Sequence, residues 1–471
     1  GAGVSGCMLA HKLARYQLKT AVIEAGCDVA SGATRANSAI VHAGFDAENG
    51  TLKAKLNVIG CTELPKIAEQ LDVPYKNNTS IVAAFSDEDV EKLRALYERG
   101  ERNGVKGLYI ADRDEVHKLE PNLSDEVVAA LVAPSAGIIC PYELTIACAE
   151  NAAINGCEFF FDRRVDRIID NGDYVTVGAG DFKLDARYIV NAAGVHSDEL
   201  ARLVDPDYPI SLRARRGEYM ILDKSERSTC KATIFTVPSK EGKGILVSPT
   251  VDGNIIVGPN AHEVERDDTS TTAAGLDEIS RAAKRMFPNI NLRAVITSFA
   301  GVRPTPSDGE FHIEPSKTLP RMLNLVGIES PGLASSPAVA DCAIDVLREM
   351  GVSFNERESW YRYRRPDGHM PKLFRELSDS EKSELCRKNP TYGKIICRCE
   401  TVTEGDILAA IHRPLGAKTI DMVKLRTRAG MGRCQGGFCL PRVAELLSRE
   451  LDIPLDEITK RGGESKIVVS C

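Results

Sequence analysis

Apolar positions in the first residues change period once. Val4, Met8, Leu9, Leu13 and Leu18 fall on one helical face behind the run Gly1-Ala2-Gly3-Val4-Ser5-Gly6 and predict an amphipathic helix. Thr20-Ala21-Val22-Ile23 then reads as a short buried strand that closes on Glu24. A similar order returns far downstream. Leu323 to Val326 is an apolar strand, Gly327-Ile328-Glu329-Ser330-Pro331-Gly332-Leu333-Ala334 a glycine-containing turn, and an apolar helix follows to about Met350. Between them the pattern predicts helices around 52–71, 86–103, 142–155 and 270–287. Strands are predicted around 79–84, 165–179, 219–223, 244–250, 254–259 and 294–302. Arg187 to Gly194 reads as another strand ending in a turn of small residues. Residues 351–393 are polar and Pro-containing (Pro366, Pro371, Pro390) and read as a connector with one or two short helices.

The first turn carries chemistry. Glycines at Gly1, Gly3 and Gly6 permit a tight turn and close backbone approach to a pyrophosphate, and the helix N-terminus faces that charge. Glu24 lies 18 residues after Gly6, near the ~20 expected of an acid that binds a ribose hydroxyl. In a full unit of this kind an apolar strand runs directly into the first glycine, so the natural start is expected to lie before Gly1. The second turn, at Gly332 and Leu333, suits a long flavin dinucleotide, whose ring lies far from its pyrophosphate; the dipole of the following helix favours negative charge there.

Composition narrows the class. The chain has 471 residues, 43% hydrophobic and 27% charged, which is ordinary for several globular domains. A net charge of −7 argues against bulk nucleic-acid binding. The longest uncharged apolar stretch, Val127 to Tyr142, is broken by Pro134 and Gly137 and is too short to span a membrane. Fourteen cysteines in so long a chain point to a reducing, cytoplasmic compartment rather than a secreted disulfide framework.

Four of those cysteines form a pattern. Cys397-Arg398-Cys399 and Cys434-Gln435-Gly436-Gly437-Phe438-Cys439 bracket a helical stretch. Thiolates suit zinc or iron–sulfur. Structural zinc usually uses pairs two to four residues apart. Here one pair is tighter and the other contains Gly-Gly, which lets backbone amides turn toward sulfur and favours a 2Fe–2S cluster over zinc. Thr391 to Glu450 holds ten Lys/Arg and six Asp/Glu. That excess either offsets cluster charge or forms a solvated basic face.

The run Tyr392 to Asp406 with the later CxxxxC resembles the bacterioferritin-associated-ferredoxin-like 2Fe–2S domain. The first ~350 residues resemble the D-amino-acid-oxidase/glycerol-3-phosphate-dehydrogenase superfamily of FAD enzymes, and the order of domains is similar to that of anaerobic glycerol-3-phosphate dehydrogenase large subunits. The resemblance implies an α/β chain: a Rossmann-like FAD-binding domain with an inserted antiparallel-sheet substrate domain (1–350), a linker (351–393), a small helical 2Fe–2S domain (394–451) and a tail (452–471). It implies that Arg35 and Ser38, in the loop Ser31 to Gly44, touch the phosphates or ring, and that the Val165 backbone meets adenine. Gly194, Gly332 and Leu333 complete the FAD set. His42 is the implied base and Arg303 the cation for the substrate; Arg215 to Tyr219 resembles a segment often at the pocket wall, within which Arg216 is read as structural. Cys397, Cys399, Cys434 and Cys439 hold the cluster. The implied reaction oxidises a small anionic secondary alcohol, foremost sn-glycerol 3-phosphate to dihydroxyacetone phosphate. Electrons then pass from FAD through the cluster to a partner protein, with any membrane association through partners. The alternative substrates are a 2-hydroxy acid such as 2-hydroxyglutarate, an amino acid or an opine.

Overall fold

A computed structural model describes residues 1–238, 244–362 and 372–468. Pro366 and Pro371 of the connector and Cys471 lie outside the described residues.

The first layer is built from two parallel strand pairs. Ala21–Ile23 pairs with Glu158–Phe160, and Ile189–Asn191 with Met322–Val326, which His312–Pro315 extends on its other side. Gly1 sits between the two pairs: its nitrogen donates to the Ile23 carbonyl at 2.8 Å, and its Cα lies against the Ala192 carbonyl. Helices Val4–Leu13, Leu52–Gln70, Pro141–Ile154 and Gly332–Glu349 pack on this layer around Met8, Leu64, Leu144, Val339 and Ile344. The expected strand over 165–179 is a hairpin, Arg167–Asp170 and Val175–Ala179. Asp170-Asn171-Gly172-Asp173 turns the chain there, with Gly172 at φ +82°, a left-handed conformation that glycine adopts without steric cost.

The second layer is a nine-stranded sheet. Its longest pair, Leu212–Leu222 against Val295–Pro306, is antiparallel and longer than the apolar runs predicted. One pairing departs from the expected antiparallel sheet: Thr233–Thr236 runs parallel to Ser80–Ala84. Two chain excursions far apart in sequence meet at that seam. Ser80–Ala84 is buried on both faces: Ile81 and Ala83 enter one apolar cluster, Val82 and Ala84 another. Helix Ala273–Met286 covers the first face and Asp87–Asn103 the second. The first of these begins later than the pattern suggested because the Thr272 hydroxyl caps it.

The C-terminal domain is a two-strand hairpin (Ile395–Cys397, Val402–Thr403) and three helices, Glu404–His412, Ile420–Thr427 and Leu440–Leu451. In the connector, helix Asp379–Lys388 is closed by a Ser378/Glu381 capping box. The segment expected as a tail folds back: Ile458 is fully buried in this domain, and the Thr459 and Lys460 carbonyls accept from the amides of Ile420 and Asp421. Among the described residues no helix is long and apolar enough to cross a membrane.

Arginines fasten this domain to the rest. Arg426 makes a bidentate pair with Asp28 at 2.7 and 2.8 Å, its side chain wholly buried. Arg428 reaches Asp252 at 2.7 Å, Arg433 reaches Asp223 at 2.8 Å, and Arg413 donates to Glu150. Much of the local basic excess is thus directed at acids of the larger domain, which neither expected reading of that charge anticipated. Arg426→Ala would leave the Asp28 carboxylate buried without its partner. It is expected to cost roughly 3–5 kcal/mol, while Arg426→Met with Asp28→Leu costs far less. Urea unfolding of the three proteins measures this.

Candidate active site and cysteine centre

The glycine turn is fitted to its strand ends. A Cβ on Gly6 would meet the Gly1 carbonyl oxygen at 2.0 Å, so only a bare Cα fits. The turn opens on a cavity of about 1150 Å³ bordered by Gly1, Gly3, Glu24, Arg35, Val165 and Gly194. Six of the expected cofactor residues are therefore brought to one cavity, while Gly6 packs against the Gly1 carbonyl and does not line it. Glu24 is held by the amides of Ala2 at 2.6 Å and Gly26 at 2.8 Å. Thr34, which the sequence reading passed over, accepts from the Val4 amide at 3.0 Å and so caps the first helix. Its only signal was its place beside Arg35.

A second cavity of about 290 Å³ adjoins the first, the two sharing Thr34, Ala36, Asn37, Pro304 and Ile328 as walls. Ser38, Gly332 and Leu333 lie here, with His42 and Arg303. The two expected catalytic residues thus face one pocket. Strand Val295–Pro306 reaches it by crossing the loop Ser31 to Gly44 closely: a Cβ on Gly301 would lie 1.9 Å from the Ala36 carbonyl oxygen. Arg303 Nη2 donates to the Asn260 carbonyl at 3.1 Å, while its Nε is buried without a hydrogen-bond partner. A buried, unsatisfied guanidinium nitrogen is costly unless an anion meets it. Tyr219 stacks on Phe299 with centroids 4.8 Å apart, and its hydroxyl lies 3.3 Å from Ser38 Oγ. The His42 ring lies 6.0 Å from that of Phe235. Arg216, by contrast, is engaged by Asp268 at 2.6 Å, Ser270 at 3.0 Å and Glu218 at 3.2 Å, a structural role. Asn260, which positions Arg303 through its backbone, left no mark in the sequence beyond a turn.

The four cysteines group as two pairs, each with one member from either half of the motif. Cys399 Sγ lies 3.7 Å from Cys434 Sγ, and Cys397 is hydrogen-bonded to Cys439. Among the described residues no three His, Cys, Asp or Glu side chains converge as ligands of one ion. Two separate pairs suit a two-iron centre better than mononuclear zinc. The thiol of Cys397 is lowered to about 6, first by Cys439 and then, against burial, by the amides of Gly430 and Glu400. Cys434 is lowered first by the Phe438 amide, with those of Gly436 and Gly437 adding to it against burial. The glycines do turn amides toward sulfur. A Cβ on Gly432 would meet Cys399 Cβ at 2.2 Å, so the second half of the motif packs directly on the first. Cys439, Gly436 and Met431 border the larger cavity, and Tyr142 donates to Met431 Sδ at 3.5 Å. One continuous space therefore runs from the glycine turn to the buried cysteine pair. On the outer side Cys399 is exposed, and Phe438 is 85% exposed.

Comparison with known proteins places the chain in a family. Residues 1–346 match the FAD dependent oxidoreductase family, and residues 395–449 match the BFD-like 2Fe-2S binding domain. The chain is 44% identical over 461 residues to a glycerol 3-phosphate dehydrogenase of Caloramator mitchellensis, covering 98% of this chain and 95% of that protein. It is 32% identical over 359 residues to a glycerol 3-phosphate oxidase of Mycoplasma genitalium, covering 74% of this chain and 93% of that one. Among solved structures, the L-alpha-glycerophosphate oxidase of Mycoplasma pneumoniae with FAD bound superposes with a TM-score of 0.73 at 28% identity, covering 77% of this chain and 96% of that chain. The chain belongs to the FAD dependent oxidoreductase family, with a 2Fe–2S domain at its C-terminal end.

Proposed function

We propose that this enzyme oxidises the secondary alcohol of sn-glycerol 3-phosphate to dihydroxyacetone phosphate and passes the electrons through its C-terminal centre to a partner protein. The observation that carries the reading is Arg303: a half-buried guanidinium whose Nε is itself buried and unpartnered, in the same pocket as His42 and beside the larger cavity. The names of the relatives above support the same substrate.

Arg303 binds the phosphate, and its planar fork fixes the substrate's orientation. His42 takes the hydroxyl proton as the C–H bond breaks. Tyr219, Phe235, Leu246 and Leu333 supply the apolar part of the wall, which limits water at the reacting carbon. FAD, when bound, supplies the hydride acceptor, and the iron–sulfur centre a one-electron carrier. Gly1, Gly3, Gly6, Glu24, Arg35, Ser38, Val165, Gly194, Gly332 and Leu333 would hold the first. Cys397, Cys399, Cys434 and Cys439 would hold the second. Exposed Cys399 and Phe438 mark the rim facing an acceptor protein, through which any membrane association would arise. The fourteen cysteines support a reducing, cytoplasmic setting.

The test is an anaerobic substrate panel read by bleaching of the flavin and by an artificial acceptor. sn-Glycerol 3-phosphate is expected to reduce the protein fastest, and His42→Gln to slow it by roughly 10²–10⁴-fold. Preferential reduction by 2-hydroxyglutarate or an amino acid overturns the substrate; an unchanged rate in His42→Gln overturns the base.

A further inference from the structure

The larger cavity is walled by both domains. Arg35 enters it from the flavin loop, whereas Lys424 and Lys460 enter from the C-terminal domain. Lys424 stands on helix Ile420–Thr427, whose last turn carries Arg426, the buried anchor to Asp28. The ammonium of Lys424 makes no hydrogen bond or salt bridge among the described residues, and neither do the side-chain charges of Arg35 and Lys460. Burial pushes Lys424 below its ordinary range; Asp421 opposes this, and Lys460, Arg35 and Arg428 add to it by repulsion. Asp421 is the one acid the C-terminal domain presents to the cavity, and Arg428 is already committed to Asp252 and Glu400. Three unpaired cations gathered from two domains around one space repel each other unless an anion lies between them. The cavity that holds them is the one opened by the glycine turn, where a pyrophosphate belongs.

We infer that the iron–sulfur domain completes the FAD site: Lys424, with Lys460 beside it, binds the dinucleotide's phosphates from the side opposite the glycine turn. Cofactor retention and docking of the C-terminal domain are then linked, and each strengthens the other. The inference rests on the cavity being the FAD site.

The experiment uses the full-length protein with its iron–sulfur centre intact, stripped of flavin and titrated with FAD by fluorescence quenching at several salt concentrations. Lys424→Met is expected to weaken FAD binding roughly tenfold or more, as loss of a charge-assisted contact does, and to flatten the salt dependence. Lys424→Glu weakens it further, and Lys424→Arg restores it to within about threefold. Unchanged iron–sulfur absorption and circular dichroism establish that the variants fold. FAD affinity within about twofold of the parent in both the Met and Glu variants overturns the assignment, whatever the substrate proves to be. A loss that Arg does not restore also overturns it, because it marks packing and not charge. A parent that binds no FAD overturns the cavity reading itself.

Discussion

Cys399→Ala is expected to split the reaction into its two halves. The exposed thiol of Cys399 faces Cys434 at 3.7 Å and does not border the larger cavity, which of the four motif cysteines only Cys439 reaches. Removing it takes one ligand from one of the two sulfur pairs and leaves the walls of both cavities in place. The iron–sulfur absorption and electron paramagnetic resonance signal should disappear. Bleaching of the flavin by substrate under anaerobic conditions should persist at close to the parent rate. Transfer to a one-electron acceptor protein should fall by at least roughly 100-fold, since even residues that only support metal ligands cost 10–100-fold when lost. Serine is a poorer choice, because its oxygen can still ligate. Survival of the cluster signal in the alanine variant would show that Cys399 is not a ligand.

Arg303→Leu is the second large effect. The side chain spends one nitrogen on the Asn260 carbonyl and leaves Nε buried and unsatisfied, so the pocket is poised for an anion that the leucine variant cannot hold. Losing one partner of a buried charge pair costs about 2–5 kcal/mol, which corresponds to roughly a 30- to 5000-fold fall in kcat/KM. Most of the loss should appear in KM, because the phosphate contact is made by ground state and transition state alike. Arg303→Lys keeps the charge without the fork and should recover part of it. Arg216 provides the contrast. Its donors already meet Asp268, Ser270 and Glu218, so Arg216→Leu should lower stability with little change in KM for the substrate. Steady-state kinetics of the three proteins decide the matter; an unchanged KM in Arg303→Leu removes this residue from substrate binding.

The parts of this site that the sequence reveals are those whose geometry is local. Gly1, Gly3 and Gly6 lie within one turn, and Cys397 and Cys399 within one strand end, so spacing along the chain is spacing in the fold. The docking of the two domains is different. Arg426 and Arg428 are two residues apart, yet they meet Asp28 and Asp252, acids with no sequence relation to each other. A local charge count registers the excess and not its destination. The hairpin at Asp170 to Asp173 was missed: its Asn-Gly step marks a turn, but apolar residues on either side made one long run of 165–179. The parallel seam between Ser80–Ala84 and Thr233–Thr236 was missed as well, because apolar alternation fixes which face a residue takes and says nothing of a strand's direction relative to a distant neighbour.

That seam also sets an order of events during synthesis. Ser80–Ala84 is made early and finds its antiparallel neighbour Ala129–Ala133 soon after, but its other edge stays open until Thr233–Thr236 has emerged from the ribosome. For that interval the nascent chain carries an apolar strand with an unpaired row of amides, the kind of edge that recruits foreign strands. Growth of this polypeptide therefore passes through a window of aggregation risk that closes only when the second excursion arrives, and chaperone demand should be greatest for chains stalled inside it.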